Sequence, residues 1–143
     1  MSKKYGFSDE ELMPIWDRDM ATGCVYCGKP MKKYIDIKAE IQSGITEKKG
    51  AFKCEATIEH LHHEKPFYKD EVCNGRVLKL EGLAICCRSC NSSRGKLELR
   101  TWFSCNYCKD KDNPISEITV AKQVREYLKQ EQKYAPLTVV SQF

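Results

Sequence analysis

An acid, a histidine and an asparagine stand close to paired cysteines in this 143-residue sequence. Glu59 and His60 are neighbours, and Asn91 directly follows Cys90. The imidazole of His60 could take a proton from water, because an unperturbed imidazole titrates at about pH 6.5. Glu59 and Asn91 offer carboxylate and amide oxygens, the ligands that a hard divalent ion such as Mg²⁺ prefers. Together these residue types favour metal-assisted hydrolysis of a phosphodiester bond.

Cysteine spacing predicts a structural zinc site. The sequence has nine cysteines, and six of them form three Cys-x-x-Cys pairs. Two such pairs can enclose one Zn²⁺ in a tetrahedral shell of thiolates, and a closed shell leaves no position for substrate. We expect four cysteines to hold this zinc: Cys24, Cys27, Cys87 and Cys90. Cys86 lacks the two-residue spacing to Cys90 and is interpreted as a packed strand residue. The alternative is that the four remain reduced, buried thiols.

The third pair, Cys105 and Cys108, predicts half of a second zinc site. Cys54 and Cys73, or a histidine, could complete it. The alternative is that these cysteines pack as small hydrophobic residues.

The composition indicates a protein that lies in the cytoplasm or with host DNA, is not secreted and does not span a membrane. The first residues lead into no apolar run of the kind found in secretory signals, and clustered cysteines favour metal binding in a reducing compartment. The net charge of +4 permits a nucleic-acid partner without demanding one.

The elements that carry these residues can be predicted in part. Ser8 resembles a helix N-cap followed by acidic residues, and Gly23 closes that helix. Residues 31–53 are compatible with strand or helix. Strands are expected within 54–62, 77–80 and 83–86, and a helix over 88–96. A C-terminal helix is predicted over about 116–134, from the spacing of Ile118, Ala121, Val124 and Leu128. One domain over 1–143, with its core at about 24–102, is expected.

These motifs resemble the cysteine-containing branch of the HNH nuclease family. The matching stretches run from Ala56 to Leu61 (ATIEHL) and from Gly82 to Gly95 (GLAICCRSCNSSRG), after the pair at Cys24. Four independent features agree in order: Cys-x-x-Cys, Glu-His, an apolar strand and Cys-x-x-Cys-Asn. The resemblance extends to about Trp102, with an inserted segment before Cys54.

The resemblance implies an α+β protein with a small zinc-stabilised ββα-metal core and flanking helices. It implies an endonuclease that cuts DNA to a 5′ phosphate and a 3′ hydroxyl, with His60 as general base. Glu59 and Asn91 would hold Mg²⁺ or Mn²⁺, and a loop at Glu59–His60 would bring both side chains to one site. The family usually has an asparagine bracing that loop where this sequence has Gly82; Asn74 and Glu81 are the candidates to replace it.

Four basic residues near the last motif are candidate contacts to phosphates of double-stranded DNA: Arg88, Arg94, Lys96 and Arg100. A homodimer, formed through the 116–134 helix, would supply the two active sites that a double-strand break needs. His62 is a candidate spare metal ligand or phosphate donor, and with the extra histidines Mn²⁺, Ni²⁺ or Zn²⁺ remain alternatives to Mg²⁺. The alternative functions are a catalytically inactive zinc-stabilised DNA-binding or scaffold module, and an RNA nuclease.

Overall fold

The computed structural model describes residues 5–62, 68–73 and 76–131. The first helix, α1 (Asp9–Thr22), begins as the sequence predicts. Ser8 and Glu11 form a capping box, in which each side chain accepts a hydrogen bond from the other residue's backbone N–H. Gly23 ends the helix at φ 95°, where an added Cβ atom would lie 2.6 Å from a carbonyl oxygen. Only glycine fits this turn.

The segment whose pattern is compatible with both strand and helix forms α2 (Tyr34–Gln42). Ile37 is buried and Ile41 is half-buried. Because these residues are four apart, they lie on one face of the helix, and that face packs inward. A 3₁₀ turn, Ala51–Cys54, follows and leads into the first strand.

Two antiparallel strand pairs make up the β structure. In the first, β1 (Ala56–His60) pairs with β4 (Leu83–Cys87). In the second, β2 (Val72–Cys73) pairs with β3 (Arg76–Val77). Every residue of β4 is buried, so this strand lies in the centre of the core. The strands expected at 54–62 and 83–86 are confirmed. Of the strand expected at 77–80, only Val77 lies in a strand, as the last residue of β3. A 3₁₀ turn follows at Leu80–Gly82.

Three short helices follow β4. They are α3 (Arg88–Arg94), α4 (Leu99–Phe103) and α5 (Asn106–Lys109). Gly95 ends α3 at φ 53°, as its position in the sequence predicts. The mixed helix and strand content agrees with the predicted α+β class.

The last described helix, α6 (Lys122–Glu131), is shorter than predicted. Residues 117–119 form a turn instead, and the backbone N–H of Ala121, which a continuous helix would direct to the carbonyl of Glu117, donates to the carbonyl of Val25 (2.9 Å). Ile118, expected on the buried stripe, is 82% exposed. The predicted residues 132–134 lie outside the described part of the chain.

A continuous hydrophobic cluster joins α1, β4, α4 and α6. The buried carboxylate of Asp19, in α1, accepts hydrogen bonds from the backbone N–H of Ile85 (2.8 Å) and from Gln123 of α6 (2.6 Å). This polar group therefore links three elements across the core. Among the described residues, no helix is both long enough and apolar enough to cross a bilayer.

Candidate functional site

Two tight turns bring the predicted zinc ligands together. Cys24 and Cys27 lie in the turn after α1, where the backbone N–H of Cys24 donates to the carbonyl of Lys29 (2.9 Å). Cys87 is the last residue of β4, and Cys90 lies in the first turn of α3. The strand and the helix therefore position the second pair directly, without an intervening loop.

The four sulfur atoms form one cluster. All lie within 4.8 Å of one another, and the Sγ atoms of Cys27 and Cys87 are 3.9 Å apart. A tetrahedral zinc with Zn–S bonds of about 2.3 Å sets its sulfurs about 3.8 Å apart. The cluster is therefore compatible with a structural zinc site. Cys86 is buried outside the cluster beside Thr57, as predicted.

As thiols, the four cysteines perturb one another's protonation. Hydrogen bonding to Cys27 raises the pKa of Cys24, and hydrogen bonding to Cys24 raises that of Cys90. Hydrogen bonding to Cys24 lowers the pKa of both Cys27 and Cys87. Four thiolates this close would repel one another strongly, so uptake of a cation should release protons.

Tyr107 supports the cysteine cluster by a hydrogen bond, a role that the sequence did not predict. Its hydroxyl donates to Cys90 Sγ (3.4 Å) and lies 2.8 Å from the hydroxyl of Ser89. The backbone N–H of Cys87 also donates, to Cys24 Sγ (3.3 Å). Such hydrogen bonds orient metal-bound thiolates. The tyrosine lies between the third pair of cysteines, so that segment contacts the cluster through a residue other than its cysteines.

The third pair of cysteines has no further ligand near it among the described residues. Cys108 is fully buried, and burial raises the pKa of its thiol to about 11. Cys54 donates to the carbonyl of Ala51. The side chain of Cys73 lies outside the described part, so the second zinc stays a prediction.

Glu59 is buried in the core, with 5% of its surface exposed. Its Oε2 accepts hydrogen bonds from the Tyr26 hydroxyl (2.8 Å) and from Arg94 Nη1 (3.1 Å). Burial raises the pKa of the Glu59 carboxyl, and the charge of Arg94 opposes that rise. The carboxylate is thus part of an enclosed ion pair.

Arg94 is also buried, at 1% exposure, and it secures the chain after β1. Its guanidinium donates to the carbonyls of His60 and Leu61, both at 2.7 Å. The prediction that Arg94 contacts DNA is therefore wrong, because its side chain is enclosed by these partners. Sequence alone could not separate this arginine from its exposed basic neighbours.

His60 ends β1 with its backbone in a defined position. It pairs with Leu83 across the sheet, and the next residue, Leu61, donates its N–H to the Gly82 carbonyl (3.0 Å). The half-buried imidazole lies edge-on against the Tyr5 ring, with the ring centroids 4.3 Å apart. A backbone hydrogen bond thus joins the end of this segment to Gly82, and Arg94 holds its carbonyls from the other side of the chain. Glu81 is exposed and Asn74 lies outside the described residues.

Asn91 reaches β1 at a different point. Its Nδ2 donates to Thr57 Oγ1 (2.9 Å) and is 3.4 Å from the carbonyl of Ile58. These three residues and Tyr5 contribute to the wall of a cleft of about 800 Å³ beside α1 and α2. Tyr5 therefore connects the wall of this cleft to the ring of His60.

The described arrangement does not fit a divalent ion held between Glu59 and Asn91. The strand stays regular through His60, so the loop expected at Glu59–His60 is not formed and the two side chains point to opposite faces. The Glu59 carboxylate is enclosed beside the positive charge of Arg94, which would repel a cation. The oxygen donors suit such an ion, but their placement does not.

The other candidate contacts to DNA differ in their surroundings. Arg88 is exposed and pairs with Glu55 (3.1 Å), Lys96 is exposed, and Arg100 pairs with Glu117. His62 lies away from the cysteine cluster, with Nδ1 3.0 Å from the Glu131 carboxylate and 3.1 Å from the Tyr127 hydroxyl.

No protein-family model, curated protein or solved structure matched this chain on comparison. Its function therefore has to be inferred from its own residues.

Proposed function

We propose that this chain is an endonuclease that hydrolyses phosphodiester bonds in DNA, with His60 as the general base. The support around His60 carries the proposal. β1 and β4 fix its backbone, and Arg94 donates to its carbonyl. The residue as a whole is partly exposed. A reacting group must be held to within about 0.5 Å of its productive position, and this combination of a fixed backbone and a partly exposed residue suits that need.

In the proposed reaction, His60 accepts a proton from water while the water oxygen attacks phosphorus. The P–O3′ bond breaks, and the leaving oxygen takes a proton from solvent. The products carry a 5′ phosphate and a 3′ hydroxyl. Glu59 and Arg94 act as positioning residues, because their ion pair fixes the backbone that presents His60. The zinc site would stabilise β4 and α3, which pack against β1.

A second candidate is a zinc-stabilised module that binds DNA without cutting it. The enclosure of Glu59 favours this alternative, because a carboxylate committed to Arg94 is not free to bind a catalytic Mg²⁺ or Mn²⁺.

Incubation with supercoiled plasmid separates the two candidates. The zinc-loaded protein is tested with Mg²⁺, with Mn²⁺ and with neither, beside His60→Ala. His62→Ala is the matched control, since that histidine contacts Tyr127 and Glu131 instead. Nicked or linear product lost only in His60→Ala supports the endonuclease. Intact plasmid in every arm, with a shifted band in a gel-shift assay, supports the binding module. Zinc content is measured in each sample, so that a lost fold is not mistaken for lost chemistry.

A further inference from the structure

A second cleft, of about 360 Å³, lies between the 3₁₀ turn Ala51–Cys54 and α3. Three basic side chains, two hydroxyls and an aromatic ring line it: Lys48, Lys53, Arg88, Ser89, Ser92 and Phe52. No acidic residue is among its described lining residues. Arg88 pairs with Glu55 (3.1 Å), which is not among these lining residues, so Lys48 and Lys53 carry the net positive charge of the cleft, which favours an anion.

The two lysines of this basic cleft form no ion pair of the kind that some other surface lysines form. Lys32 pairs with Glu40 (2.7 Å) and Lys69 pairs with Glu11 (2.9 Å). Within the part of the chain that the structure describes, neither Lys48 nor Lys53 pairs with a carboxylate. Their charges are therefore available to a partner in solution.

The walls of the cleft are fixed by backbone contacts. The N–H of Lys53 donates to the carbonyl of Gly50 (3.3 Å), and the N–H of Arg88 donates to that of Glu55 (2.8 Å). Phe52 stacks on Tyr34, with ring centroids 5.4 Å apart. The basic groups thus project from an ordered turn and from the start of α3.

We propose that the basic cleft binds the phosphate backbone of duplex DNA, a proposal that rests on DNA being the substrate of the proposed endonuclease. Ammonium and guanidinium groups pair with phosphate oxygens, and the Ser92 hydroxyl can donate to them. The Ser89 hydroxyl is directed to Tyr107 instead. The ring of Phe52 is already stacked on Tyr34, which favours contact with the backbone over stacking on an unpaired base. Ser92 adjoins Asn91 in α3, so DNA bound here would pass beside the first cleft.

This assignment differs from the phosphate track expected from the sequence. Arg88 is common to both, but Lys48 and Lys53 come from the inserted segment and replace the buried Arg94. In the sequence, the lysines at 48 and 49 resemble an ordinary exposed turn. Only the packing of the 3₁₀ turn and the residues before it against α3 brings Lys48 and Lys53 together with Arg88.

Fluorescence anisotropy with a labelled DNA duplex tests the cleft. Binding is measured over a range of salt concentrations in the His60→Ala background, which prevents cutting. Lys48→Ala/Lys53→Ala is compared with Lys29→Ala/Lys129→Ala, which removes equal charge from two exposed lysines outside the cleft. Affinity falls as salt rises, and each lost phosphate contact reduces the magnitude of the slope of log affinity against log salt by about 0.9. The Lys48→Ala/Lys53→Ala variant should therefore have a slope that is shallower by about 1.8. The control pair should keep the parent slope.

Equal slopes for the two double variants, or no binding by the parent, would refute the proposal that DNA phosphates bind in the basic cleft. Circular dichroism and zinc content confirm that each variant is folded. The outcomes separate from those for hydrolysis. A parent chain that binds through the cleft but never cuts plasmid refutes the endonuclease and keeps the cleft. If instead the parent chain cuts plasmid and the Lys48→Ala/Lys53→Ala variant keeps the parent slope, the endonuclease is supported and the cleft is refuted.

Discussion

Glu59 and His60 are consecutive residues of β1, and their side chains serve different purposes. Glu59 neutralises a buried guanidinium, whereas His60 lies half-exposed beside Tyr5. Their residue types can be read from the sequence as a metal ligand and a base. The side of the strand that each occupies, and the partner Arg94, depend on packing that residue types alone do not specify.

Glu59→Ala should destabilise the protein, because it leaves the Arg94 charge buried without a partner. We expect the free energy of unfolding to fall by about 3–5 kcal/mol, measured by urea denaturation of the zinc-loaded protein. Glu59→Gln, which keeps an acceptor for Tyr26, should lose less. A loss below about 1 kcal/mol, the range typical of exposed pairs, combined with weaker Mg²⁺ binding would instead restore Glu59 as a metal ligand.

Tyr107→Phe should loosen the zinc site without unfolding it. The substitution removes the hydrogen bond to Cys90 Sγ, and losing an outer-shell partner typically lowers metal affinity about 10–100-fold. Competition with a coloured chelator measures that affinity. Tyr34→Phe removes a hydroxyl from an exposed tyrosine and serves as the control. Equal affinities for the two variants would show that Tyr107 does not support the site.

At the scale of elements, α1 was predictable because its signals are local. The N-cap, the acidic first turn and the final glycine lie within the helix or next to it. The segment before α6 was not predictable in the same way. Ile118 fits a helical spacing, but the Ser116–Thr119 turn forms instead, and the N–H of Ala121 donates to Val25 in the core (2.9 Å).

Ser8→Ala should destabilise α1 by about 1 kcal/mol, because an unsatisfied N–H replaces the cap. Thermal or urea unfolding measures this, and an unchanged free energy of unfolding would contradict it.

Glu11 offers a check on the same cap. The backbone N–H of Ser8, and then Lys69, lower the pKa of Glu11 to about 2 from 4.5. Its stabilising contribution should therefore be present above pH 4.5 and be lost as pH falls towards 2, which NMR titration can follow.

At the scale of the whole molecule, the cysteine cluster joins parts of the chain that are distant in sequence. Cys27 and Cys87 are 60 residues apart, and between them run α2 and β1. The spacing of the cysteines made this centre predictable. It did not reveal the basic cleft, because Lys48 and Arg88 meet only through packing of separate segments.

Removing the metal should unfold the chain cooperatively. Structural zinc supplies about 10–16 kcal/mol of apparent binding energy in small domains, which is comparable to a typical folding free energy of about 5–15 kcal/mol. We expect a strong chelator to abolish the circular dichroism signal of the helices, and Cys90→Ser to lower stability and solubility. Cys54→Ser, outside the cluster, is the control. Retention of the native spectrum after complete loss of zinc would contradict a structural role.

The central claim is that His60 performs general-base catalysis in a DNA endonuclease. The most direct test is the single-turnover rate of plasmid nicking by zinc-loaded parent protein, His60→Ala and His62→Ala. General-base catalysis contributes about 10²–10⁴-fold to a rate. We predict a loss of that size in His60→Ala only, with zinc content and unfolding unchanged. A His60→Ala protein that cuts as fast as the parent would contradict the mechanism.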